Sequence, residues 1–148
     1  MQLYLTKLIN MTESESIVDN NSTNSSINSS TDFSKYNSAS DAEKVIIEDI
    51  VVGTGPEVKL GNQVTVHYRG WLTNGQVFDE SYGRGEPFNF FPGQSRVITG
   101  WEDGIIGMQV GGKRRLVVPP VAGYGSSPVG TIPASSVLVF DIELLAVS

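Results

Sequence analysis

No cysteine occurs among the 148 residues, so disulfides, thiolate nucleophiles and Cys-ligated metals are excluded together, and the redox compartment is left open. Histidine is almost as scarce: His67 stands alone, too few for a two-His zinc site. Positive charge is also short, because 10 Lys and Arg against 16 Asp and Glu leave a net charge of -6. A surface that neutralises a phosphate backbone needs the opposite balance, so no nucleic acid partner is expected. Long apolar runs are missing too. None approaches the roughly 20 residues that span a bilayer, and no membrane partner is expected. The chain has no GxSxG, Walker loop, HExxH or dinucleotide fingerprint. No metal and no cofactor is expected, and a Ser-His-Asp triad is disfavoured because the lone His67 faces outward on its strand.

What is present divides into a tail and one domain. The opening MQLYLTKLIN is interrupted by Lys7 and is followed by no small-residue cleavage site, so it reads as neither signal peptide nor anchor. A cytoplasmic monomer is the expectation. Residues 11 to about 40 are mostly Ser, Asn and Thr, with little apolar content before Phe33 and Tyr36. Such a stretch cannot offset its own ordering entropy. Residues 1–41 are therefore expected to be a disordered tail, and removal of residues 1–40 is expected to leave activity unchanged with no substantial loss of thermal stability. The Asn-x-Ser/Thr triplets at Asn10, Asn20, Asn21, Asn24 and Asn28 follow from composition alone, and glycosylation is not expected.

A domain is expected over 42–148. VIIEDIVV (45–52) is strand-forming and is closed by Gly53 and Gly55. In QVTVHYRGWL (63–72), Val64, Val66 and Tyr68 share one face and Thr65, His67 and Arg69 the other, the period of a half-buried strand. Asn74-Gly75 signals a tight hairpin back through Val77 and Phe78 to Asp79. PFNFF (87–91), KRRLVV (113–118) and VLVFDIELL (137–145) complete the strand set. The basic residues of KRRLVV are expected on a solvated face or rim, and the Pro, Gly and Ser-rich loop from Pro119 to Ser136 reads as functional. One short helix breaks the pattern, starting at Thr99 with capping-box spacing to Glu102. Its Ile98, Trp101, Ile105 and Met108 form an apolar face. The indole of Trp101 is then either core filler or the floor of an apolar pocket, and ordinary core packing accounts equally well for any one of the other aromatics.

Order and spacing add to this. The segments VHYRG (66–70), GQVFDES (75–81), PFNF (87–90), VITGWEDGI (97–105), GMQVGGKRRLVVPP (107–120), YG (124–125), IP (132–133) and VLVFDIELL (137–145) together resemble the FKBP-type peptidyl-prolyl cis-trans isomerases. The resemblance covers residues 44 to 148. It implies an α+β fold, a strongly bent antiparallel β-sheet of about five strands wrapped around one short α-helix, with a pocket between helix and sheet. It also implies Tyr68, Phe78, Asp79, Trp101, Tyr124 and Phe140 as catalytic residues, with Phe88, Val97, Ile98 and Ile132 binding substrate or ligand. Trp101 would be the floor under the proline ring. Ile98 N–H and the Tyr124 hydroxyl would each meet a carbonyl, and Tyr68 would hold the Asp79 carboxylate. Proline-containing polypeptides and macrolide ligands such as FK506 and rapamycin are the partners implied.

The reaction so implied needs no nucleophile. A prolyl amide rotates over a barrier of about 18–20 kcal/mol set by C–N double-bond character. Twisting removes resonance and leaves a less polar amide, which a dry aromatic pocket favours over either planar form. A protein-binding module using the same pocket with little turnover is the alternative, and a pocket filled by its own side chains is a third reading. Three departures from the family pattern fall on the flap. The loop from Tyr124 to Ile132 is one residue shorter and has no tip histidine, Gly123 stands where alanine is usual, and Ala122 replaces a larger residue. These bear on flap packing and on preference beyond proline.

Overall fold

A computed structural model describes residues 31–148. The opening decapeptide, the Asn-x-Ser/Thr triplets and most of the expected tail lie outside the described residues. Six strands form one antiparallel sheet: β1 (Ile46–Val51), β2 (Val64–Leu72), β3 (Val77–Glu80), β4 (Phe88–Phe90), β5 (Lys113–Val118) and β6 (Leu138–Val147). Their order is β1-β5-β6-β2-β3, with β4 also paired to β2. The count is six, where the resemblance implies about five, because β3 and β4 take different halves of one edge. Arg69 to Trp71 pair with β3, and Val64 to Val66 pair with β4. At the hairpin, Gly75 takes φ 92°, which an L side chain rarely adopts. Among the described residues no helix is long and apolar enough to cross a membrane.

Alternation sorts the sheet into two faces. Val64, Val66, Tyr68, Leu116, Val118, Leu138, Phe140, Ile142 and Leu144 turn inward and enclose Trp101, Ile105 and Met108 in the main core. The helix that supplies the indole, α1 (Thr99–Gly104), presses directly on β5. A Cβ at Gly100 would sit 2.7 Å from Val118 Cγ1, and one at Gly104 2.7 Å from Leu116 Cδ1. Glycine at both positions lets the helix lie this close. The capping box does not form: Ile98, with ψ 152°, is the N-cap, so Thr99 is already helical and no side chain caps the end. Glu102 Oε1 instead accepts the backbone N–H of Gly93, tying the helix to the loop before it.

The basic run also departs from expectation, since Arg114 and Arg115 are braces and only partly exposed. Arg114 donates through Nη1 to the carbonyls of Gly104 (2.9 Å) and Ile106 (3.1 Å), and through Nε to Asp49 (2.7 Å). A cation thereby satisfies the carbonyl end of α1. Arg115 makes a bidentate pair with the buried Asp141, at 2.7 and 2.8 Å.

The largest correction concerns the tail, because the packed chain begins before Ala42. Ser34–Asp41 is a 3-10 helix whose Tyr36 and Ala39, with Phe33 just before it, are buried against Trp71, Val117, Val137 and Val139 on the outer face of the sheet. The spacing explains the geometry: residues three apart eclipse in a 3-10 helix, so Phe33, Tyr36 and Ala39 form one apolar stripe. Asp32 Oδ1 accepts the N–H of Ser34 at 2.9 Å, which starts the turn. Tyr36 donates its hydroxyl to Glu48 (2.7 Å), and Phe33 N–H bonds the Thr73 carbonyl (3.0 Å). Phe33 meets Trp71 edge to face at 5.0 Å and lies under the Arg115 guanidinium at 4.9 Å.

Candidate active site

Between α1, β2, β3, β6 and the flap lies a cavity of about 240 Å³. All the site residues implied by the family resemblance line it except Ile132, and Arg96 joins them. Ile132 is buried in the main core and bridged to Val129, so from this loop only Tyr124 reaches the cavity.

Rings hold the indole on several sides. Tyr68 lies 4.9 Å from Trp101 at 83°, Phe140 5.3 Å at 86°, Phe88 6.0 Å at 74° and Phe90 5.6 Å at 49°. These are edge and tilted contacts that orient a ring rather than merely cover it. Trp101 is 4% exposed, so its position is set from all sides. Phe78 and Phe140 pack edge to face at 5.5 Å across β2. The strand admits them because residue 70 is glycine: a Cβ there would lie 2.8 Å from both rings.

One carboxylate faces the cavity, and it is committed to partners. Asp79 Oδ2 accepts the Tyr68 hydroxyl at 2.7 Å, and Asp79 Oδ1 accepts Arg84 Nη1 at 3.2 Å. Arg84 Nη2 also donates to the Tyr68 oxygen at 3.1 Å, closing a triangle that sequence reasoning missed. Its two contacts lie 5 and 16 positions away, so no local pattern reveals it. Burial, then the hydrogen bond to Asp79, push the Tyr68 hydroxyl above the ordinary phenol value of 10.0, with Arg84 acting against them. Tyr68 therefore remains a donor at neutral pH.

Further donors at the cavity are free, among them Trp101 Nε1, which is buried without a hydrogen-bond partner. The Tyr124 hydroxyl and the Ile98 N–H make no hydrogen bond among the described residues, and both residues line the cavity. His67 is not free: its Nδ1 lies 2.7 Å from Ser81 Oγ and its ring stacks on Tyr82 at 4.7 Å. Ser81 is wholly buried and accepts the Tyr68 N–H at 2.8 Å. That pair anchors β2 to the end of β3 and presents no nucleophile to the cavity. Among the described residues no cluster of three or more His, Cys, Asp or Glu side chains could hold a metal ion.

A bent antiparallel sheet around one short helix, with a ring-walled cavity over an indole, defines a one-helix α+β fold with an aromatic cavity between helix and sheet. The family model described as FKBP-type peptidyl-prolyl cis-trans isomerase matches residues 55–145, and the chain belongs to that family. It is 53% identical over 103 residues to "FK506-binding protein 4" of Chaetomium thermophilum, a match covering 70% of this chain and 21% of that protein. The chain thus corresponds to about a fifth of that relative's length. It is 46% identical over 104 residues to "FK506-binding protein" of Neisseria meningitidis serogroup B, covering 70% of this chain and 95% of the relative. The crystal structure of AtFKBP13 aligns with a TM-score of 0.66 at 44% identity, over 70% of this chain and 93% of that one. FkpA from Escherichia coli aligns at 0.67 and 35% identity, over 83% and 60% respectively.

Proposed function

We propose that the chain accelerates cis-trans rotation of Xaa-Pro bonds in polypeptides by holding the twisted amide in the cavity over Trp101. The observation that carries this reading is an apolar, ring-walled cavity flanked by two free donors, Ile98 N–H and Tyr124 O–H, with its one carboxylate already paired. The proline ring rests on the indole between Tyr68, Phe78, Phe88 and Phe140, while Val97 closes one side. The two donors hold flanking carbonyls. No proton moves, because the transition state is favoured by its lower polarity and its shape. The same walls and donors suit a macrolide that presents an apolar ring and carbonyl oxygens, and we propose that ligands of the FK506 and rapamycin type compete with substrate. The protein acts without cofactor and as a monomer.

A protease-free isomerisation assay on a proline tetrapeptide tests the reading, with Phe78→Ala, Asp79→Val and Trp101→Leu beside the parent. Trp101→Leu and Phe78→Ala are expected to lose at least about tenfold in kcat/KM, since 1.4 kcal/mol of lost complementarity suffices. A folded parent with no turnover, yet binding proline peptides, would instead establish a binding module.

A further inference from the structure

We propose that Arg96 gives this protein a preference for proline sites flanked by an acidic side chain. The inference rests on the isomerase reading above. Two charged residues line the cavity, Asp79 and Arg96, and they differ in what they have already bonded. Asp79 is occupied by Tyr68 and Arg84. Arg96 is exposed and makes no ion pair or hydrogen bond among the described residues. Across the mouth, the loop from Gly123 to Ser136 contains no charged residue, so nothing there neutralises the guanidinium. Ser95, directly before it, adopts φ 55°, a left-handed conformation that persists in non-glycine residues where the surroundings impose it.

Consecutive Cα atoms are about 3.8 Å apart, so a proline seated in the cavity leaves the side chains of neighbouring residues at its rim. A carboxylate there meets a planar guanidinium suited to two parallel hydrogen bonds. The net charge of -6 opposes an acidic substrate at long range. In about 0.15 M salt, however, charges beyond about 8 Å are largely screened, and the adjacent Arg96 dominates.

The test measures kcat/KM for tetrapeptides carrying Glu, Gln or Lys immediately before proline and, in a second series, immediately after it. The parent is expected to favour Glu over Lys by about two- to fivefold in at least one series, the range of an exposed ion pair. Arg96→Gln should bring that ratio to about one, Arg96→Glu should invert it, and 0.5 M salt should compress it in the parent. A Glu-to-Lys ratio near one in both parent series, or one that Arg96→Gln leaves unchanged, overturns the proposal while turnover of the Gln peptides upholds the isomerase reading. Absence of turnover on every peptide removes both.

Discussion

Replacing Phe33 with alanine should destabilise the protein without touching catalysis. The phenyl ring is 6% exposed, and it covers both Trp71 and the Arg115–Asp141 pair. Withdrawing a Phe side chain from water is worth about 1.5–3 kcal/mol, and truncation in a core costs about 3–5. The smaller range applies because the segment can leave the sheet: no substitution in it can cost more than its whole docking free energy. An expected loss of about 2–3 kcal/mol, set against an unfolding entropy of about 0.25 kcal/mol/K for residues 31–148, lowers Tm by about 8–12 °C. Deletion of residues 1–41 sets the upper limit, and Phe33→Ala with Tyr36→Ala together must not exceed it. Undocking also exposes one of the two tryptophans, Trp71, and leaves Trp101 buried, so native emission should shift to the red. Thermal unfolding by circular dichroism, fluorescence, and isomerisation at 10 °C are the assays. Unaltered kcat/KM is expected, since Phe33 lies on the face opposite the cavity. A Tm within about 1 °C of the parent for both Phe33→Ala and the deletion would refute the reasoning.

Gly70→Ala should displace Phe78 and Phe140, whose ring atoms lie 2.8 Å from the added Cβ; overpacking of this kind costs about 1–3 kcal/mol. Both Tm and kcat/KM should fall, and an unaltered pair of values would contradict the close approach. Tyr36 and Tyr68 both have their ionisation pushed above 10.0, first by burial and then by their carboxylate neighbours. A raised folded-state value favours the neutral phenol in the fold, so this stabilisation is complete below pH 10 and is lost as pH rises beyond it. Titration by phenolate absorbance should show two phenols ionising above pH 10, with Tm falling over the same interval. Phenols titrating together at their ordinary value would refute the assignment.

How much of this was legible depended on whether a residue's role was set locally. The alternation in VHYRG placed Tyr68 inward, and KRRLVV coincides with β5 to the residue. The aromatic set was legible because family spacing and strand period agreed at Phe78, Phe88 and Phe140. Phe33 and Tyr36 were hidden because two aromatics in a Ser and Asn-rich stretch are too few to mark an apolar face, and the side chains that cover them, Trp71, Val117, Val137 and Val139, lie 35 to 106 positions away. Arg84 and Arg114 found acceptors that only the folded sheet brings near them. Glu102 had the right spacing for one role and took another, since the N–H of Gly93 competed for the same carboxylate oxygen. Ile132 lies apart from the cavity lining for a similar reason: its loop folds back on Val129 and places the side chain in the core.

The contact of α1 with β5 has a consequence for how this site can change over time. With glycines at 100 and 104 against Val118 and Leu116, Arg114 on the Gly104 carbonyl and Glu102 on Gly93, the indole cannot sink to admit a larger group. Room for change lies instead at the mouth, where the exposed side chains of Arg96 and Tyr124 carry few obligations to the core. The setting of the indole is thus fixed by the core while the mouth at Arg96 is not, so substitutions there can accumulate without moving the floor of the cavity.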